Sequence, residues 1–123
     1  MMIEIDFHSD EAFYMQLRNQ IILGIATRTL QEGDTLPSVR ALAEEVGINM
    51  HTVNKAYTVL KQEGFIRLDR RKGAVVAVDP DHMSALEEAR DDLKISLAKA
   101  ACKGIRADEV HALVDQIYAE YER

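Results

Sequence analysis

His51, Asn54, Lys55 and Thr58 are spaced i, i+3, i+4, i+7. On a helix that spacing puts all four on one face. Asparagine and threonine carry hydrogen-bond donors and acceptors suited to the polar edges of planar rings, and lysine is a mobile cation. Fifteen to twenty residues further on, Arg70, Arg71 and Lys72 run together and are followed by Gly73. Together they offer directional hydrogen bonding beside a patch that attracts anions, and no group among them is a nucleophile paired with a base.

The elements that must position these groups are legible around them. In "LPSVRALAEEVGINMHTVNKAYTVLKQEGFI", residues 36–66, Val39, Leu42, Ala43 and Val46 repeat at helical spacing. Pro37 suits the first turn of that helix, and Gly47 ends it with a residue that takes positive φ at low cost. Ile48 plugs the gap, and Asn49 caps a second helix whose buried stripe is Val53, Ala56, Tyr57 and Leu60. The polar foursome lies on the opposite face, and Gly64 closes the helix. "FIRLD" and "AVVAV" read as two strands around the "RRKG" turn, a hairpin with a basic tip. Upstream, "IEIDF" is a short strand or extended arm with Ile3, Ile5 and Phe7 to one side. Ser9 or Asp10 is the expected cap of a helix carrying Tyr14, Leu17, Ile21 and Ile25, and "QEGDTLP" reads as a loop.

Two helices joined by a short glycine-containing turn are a helix-turn-helix, and the hairpin makes it winged. In that arrangement the second helix enters the major groove of DNA and the first crosses the backbone. Ser38 and Arg40 then meet phosphate or the groove edge. Asn49, His51, Thr52, Asn54, Lys55 and Thr58 belong to the reading helix and its cap. Arg70, Arg71, Lys72 and Gly73 belong to the wing. Asparagine pairs with adenine and arginine with guanine, whereas lysine neutralises phosphate. The net charge of −6 argues the other way until its distribution is considered. Residues 36–78 hold seven basic against four acidic side chains, a local +3, while both flanks are negative.

Enzymatic readings find no support. The acid pairs Glu44–Glu45, Glu87–Glu88 and Asp91–Asp92 are adjacent, so on a helix they diverge by about 100°. His8, His51, His82 and His111 are scattered without metal-ligand spacing, and no phosphate-binding glycine loop is present. No metal or cofactor is implied. The single cysteine, Cys102, is expected in a small buried apolar role. It excludes an internal disulfide and fits the cytoplasm. No apolar run has the ~20 residues of a membrane span, and the acidic N-terminus is unlike a signal peptide.

Beyond Pro80 two further helical patterns appear. The first carries Met83, Leu86, Leu93, Leu97 and Ala100. Gly104 stops it. The second, with Asp108 as its expected cap, carries Val110, Leu113, Val114, Ile117, Tyr118 and Tyr121. Stripes appended to a complete small domain need a neighbour, so Leu86, Leu93, Leu97, Val110, Leu113, Val114, Ile117 and Tyr118 are expected to hold a homodimer, the alternative being that the two helices fold back on their own winged helix. The expected architecture is mainly α with a small β hairpin: a winged helix-turn-helix domain at 1–78 and a two-helix dimerisation tail at 79–123. A winged-helix module that binds another protein remains the alternative, favoured by the acidic total.

"GDTLPSVRALAEEVGINMHTVNKAYTVLKQEGFI" with "RRKGAVVAV" resembles the DNA-binding domain of the GntR family of bacterial transcription regulators. "FYMQLRNQII" resembles its lead-in helix. "VNKAY" and the short tail are similar to the YtrA subfamily. The resemblance implies backbone and base contacts at Ser38, Arg40, Thr52, Asn54 and Lys55, with Gly73 in the wing. Met50 and Asn54 stand where many relatives carry arginine, so it implies no guanine contact from those two positions. Ala12 and Ala74 replace a common proline and threonine. The resemblance further implies a repressor acting on a palindromic operator of a transport-related operon. A tail of about 45 residues is short for a separate ligand domain, so any effector is expected at the dimer interface or the domain junction.

Overall fold

In the computed structural model, which describes residues 2–122, the chain forms two compact units, Met1–Asp79 and Pro80–Arg123. The ends of those ranges, Met1 and Arg123, lie outside the described residues. The first unit holds α1 (Phe13–Ala26), α2 (Val39–Val46), α3 (Met50–Gln62), β1 (Ile66–Asp69) and β2 (Gly73–Val76). The second holds α4 (His82–Cys102) and α5 (Ala107–Tyr121). Among the described residues no helix is long and apolar enough to cross a membrane.

The core of the first unit is built on the stripes expected from the spacing, with Tyr14, Ile25, Val39 and Val46 only partly buried against it. Leu17 and Ile21 of α1, Leu42 and Ala43 of α2, and Val53, Ala56, Tyr57 and Leu60 of α3 are buried together with Leu36, Ile66 and Val76. α3 is central and packs against α1, α2 and β1. A bidentate pair, Arg18 Nε and Nη2 to the two oxygens of Glu63 at 2.8 and 2.7 Å, ties α1 to the end of α3.

The turn from α2 to α3 is Gly47-Ile48-Asn49. Gly47 sits at φ +76° and returns its N–H to the Ala43 carbonyl, and Ile48 N–H goes to the same carbonyl. A side chain at Gly47 would force the left-handed region that L-residues rarely adopt. β1 and β2 pair antiparallel, Ile66 with Val76 through Asp69 with Gly73. The segment before α2 is more than a loop. Gly33 N–H bonds to Val76 O, Val76 N–H to Asp34 O and Leu36 N–H to Ala74 O, each at 2.8 Å, with Thr35 bridged to Val75. This third edge explains why Ala74, Val75 and Val76 are all buried, whereas on β1 Leu68, near the tip, is exposed.

Of the two readings of "IEIDF", strand or extended arm, the arm is what forms, because its partner is a pair of glutamines. Glu4 N–H donates to Gln20 Oε1 and Asp6 N–H to Gln16 Oε1, while both side-chain amides donate back to the arm's carbonyls. α1 begins at Phe13 behind Ala12, not behind Ser9 or Asp10. Ser9 Oγ is spent on the N–H of Glu11 in a local turn. Pro37 lies before the cap of α2 and outside its first turn, since Ser38 is the cap.

In the second unit Asp81 caps α4 by accepting from Ser84 N–H. Arg106, not Asp108, occupies the cap position of α5. Asp108 lies in the first turn and pairs with the Arg106 guanidinium, a favourable place for a carboxylate near a helix N-terminus. Cys102 is exposed. Neither α4 nor α5 contains a buried residue, so the tail has no interior for the thiol to occupy.

Candidate nucleic-acid interface

α3 is amphipathic by construction. Its apolar stripe is consumed by the core, which leaves His51, Asn54, Lys55 and Thr58 exposed and Thr52 half-buried. Two cap residues are partly committed to the backbone. Asn49 Oδ1 accepts from His51 N–H at 2.7 Å, and Ser38 Oγ accepts from Ala41 N–H at 3.1 Å. Their caps anchor the N-terminal ends of the two helices. Thr58 donates its hydroxyl to the Asn54 carbonyl, which leaves it only acceptor capacity. Arg40 is exposed in the first turn of α2. The Tyr57 hydroxyl donates to the Pro37 carbonyl at 2.7 Å and fastens the start of α2 onto α3. Burial, with the Glu45 charge adding to it, pushes that phenol above its ordinary range.

Lys55 has a partner that spacing alone could not reveal. Its ammonium lies 4.0 Å from the centroid of the Tyr14 ring. A cation over an aromatic face is held by the ring quadrupole, so the charge is retained on the α1 side of α3 while the side chain stays exposed. The phosphate contact expected of Lys55 therefore starts from an oriented side chain.

The wing tip is preformed by an acid. Asp69 Oδ1 accepts from the N–H groups of Arg71 at 2.8 Å and Lys72 at 3.1 Å. These donors hold its carboxyl below its ordinary value, with Arg67 adding to the effect. Gly73 sits at φ +78° with open space where a Cβ would be. Conformation, not crowding, calls for glycine there. Arg70, Arg71 and Lys72 are exposed. Asp69 and Tyr14 are the positioning residues that sequence reasoning missed. An acid directly before a basic turn is an Asx-turn signal, whereas nothing in the pattern links Tyr14 to Lys55.

In the tail, Leu86, Leu93, Leu97, Leu113, Val114, Ile117 and Tyr118 are exposed and Val110 is half-buried. α4 and α5 do not pack along their lengths. They meet around Gly104, where Leu97, Ala101, Ile105 and Val110 line a small hollow.

The model of the family described as bacterial regulatory proteins, gntR family, matches residues 11–76, more than half of the chain. The HTH-type transcriptional repressor YtrA of Bacillus subtilis is 30% identical over 122 residues, 97% of this chain and 94% of that one. Among solved structures, YtrA from Sulfolobus acidocaldarius, a GntR-family transcription factor, is 37% identical with a TM-score of 0.61, covering 96% of this chain and 97% of that one. A transcriptional antiterminator from Listeria monocytogenes is 30% identical with a TM-score of 0.84, covering 95% and 90%. The chain thus belongs to the gntR family of bacterial regulatory proteins, as a YtrA-like regulator of transcription with a DNA-binding winged helix-turn-helix, and is not an enzyme.

Proposed function

We propose that this chain is a cytoplasmic transcription repressor that binds a palindromic operator as a homodimer, with a transport-related operon as its target. The observation that carries the reading is an α3 whose polar face is left free by the core, in a unit that also presents a preformed basic wing. The contacts fall to Ser38, Arg40, Asn49, His51, Thr52, Asn54, Lys55 and Thr58 from the helix pair, and to Arg70, Arg71, Lys72 and Gly73 from the wing. Arg40 and Asn54 read base edges, while Lys55 and the wing cations meet phosphate. The repressor sense is supported by the name of the Bacillus relative. The operon type rests on the subfamily resemblance.

Dimerisation is supported by the unfilled stripes of α4 and α5. Each side chain contributes about 1.5–3 kcal/mol on full burial. Eight from each protomer meet the roughly 4–15 kcal/mol that association costs. Two protomers bring two recognition helices to two half-sites, which a single short helix cannot do.

The test is a mobility-shift titration of the full chain on palindromic fragments of its own promoter region, at several salt concentrations. Each neutralised phosphate should add about 0.9 to the slope of log affinity against log salt. A slope of several units is expected. Failure to bind any fragment, or affinity indifferent to salt, would favour a protein-binding module instead.

A further inference from the structure

Met50 is the first residue of α3 and lies one turn before Val53, on the line of the buried stripe. Val53 is fully buried, yet Met50 is 44% exposed. The stripe runs out of core at the N-terminal end of the helix and leaves a large apolar side chain in the open. Around it, Val39 of α2 and the polar Asn49, His51 and Asn54 line one shallow depression. The thioether makes no strong hydrogen bond. A side chain in this place cannot read an exposed oxygen or amino group on a base edge. It can cover a methyl, and thymine is the base that presents one in the major groove. Methionine's unbranched, polarisable chain adapts to such a contact.

We propose that Met50 is a specificity-determining residue that covers the 5-methyl group of a thymine in each half-site, beside the base read by Asn54. The proposal rests on the DNA-binding reading above. Asn54 supplies hydrogen bonds and Met50 an apolar cover, so the two discriminate by different chemistry. Apolar contact favours thymine and leaves the polar edge of a competing base desolvated without a partner.

The experiment replaces thymines of the bound operator by uracil one position at a time, which removes only the 5-methyl group. Affinities are measured for the full wild-type chain, Met50→Ala and Met50→Leu. The wild type should lose about fourfold per half-site at one position, the worth of one buried methyl, and about fifteenfold when both half-sites carry uracil. Met50→Ala should bind thymine and uracil operators alike, and Met50→Leu should keep part of the difference. Because Met50 is half in solvent, urea unfolding should find the variants close to wild type in stability. A wild type indifferent to uracil at every position overturns the Met50 assignment and leaves the DNA reading standing. So does a Met50→Ala variant that keeps the full uracil effect. Absence of binding to any fragment overturns both.

Discussion

Replacing Tyr57 by Phe removes one oxygen from the joint between the two helices of the helix-turn-helix. Tyr57 is 6% exposed, and its hydroxyl donates to Pro37 O at 2.7 Å, immediately before the Ser38 cap. The ring stays, so packing is conserved and the loss is one hydrogen bond, about 0.5–1.5 kcal/mol. Pro37 is only half-buried, so water can reach its carbonyl and keep the cost near 1 kcal/mol. For a unit of this size that is a fall of about 4–8 °C in midpoint. The pH dependence is a second signature. Burial raises the folded-state pKa of the phenol above its ordinary value of 10. Stability from the neutral phenol is then complete below about pH 10 and is lost as pH rises beyond it, by about 1.4 kcal/mol per unit. Tyr57→Phe has no such loss, so the gap between the two proteins should close above pH 10 and reverse near pH 11. Urea unfolding of both proteins between pH 7 and 11 measures this, and the other tyrosines and the lysines cancel in the difference. An unchanged stability at pH 7, or a gap constant through pH 11, would refute the reasoning.

Replacing Leu113 and Ile117 together by Asp places unpaired charge in the proposed seam at a cost of several kcal/mol. Light scattering should report a monomer while circular dichroism retains the winged-helix signal, and a mass that stays dimeric locates the interface elsewhere. Lys55→Ala should lower the salt slope by about one unit per half-site and leave the binding-site logo intact. Arg40→Ala and Asn54→Ala should each cost about 1–3 kcal/mol and flatten one position, and selection experiments at two salt concentrations would expose a reversed division of roles. Tyr14→Leu should release the Lys55 ammonium and weaken DNA binding severalfold, whereas Tyr14→Phe, which keeps the ring face, should not. Asp69→Asn keeps an acceptor for the wing turn while removing a negative charge, so it should tighten DNA binding. Asp69→Ala frees the tip and should weaken it; in gel-shift titrations, equal effects of the two would dismiss the turn-holding role.

How the parts were legible follows from what a pattern encodes. The pair α2 and α3 was readable because its instructions are local. Val39, Leu42, Ala43 and Val46 state which face is apolar, Gly47 states where the chain must turn with positive φ, and Asn49 states where the next helix starts. The wing was readable for the same reason, from two short apolar runs around "RRKG". The family resemblance added which polar residues face DNA. Periodicity names a face, however, and not the partner that covers it. Only the folded chain brings Gln16 and Gln20 to the arm as a substitute strand, across 10 and 16 residues. The same holds for the 33–36 edge beside β2 and for Tyr14 beneath Lys55. The expected caps at Ser9 and Asp108 failed because a side chain that caps in principle can be taken by a nearer donor, as Ser9 is by Glu11 and Asp108 by Arg106, while Asp10 lies two residues before the cap position at Ala12. Cys102 was expected inside because small apolar side chains are usually buried. It is outside because neither α4 nor α5 fully buries any side chain. Local steric and capping chemistry is written residue by residue, whereas burial is a property of what the chain meets after it has turned back on itself.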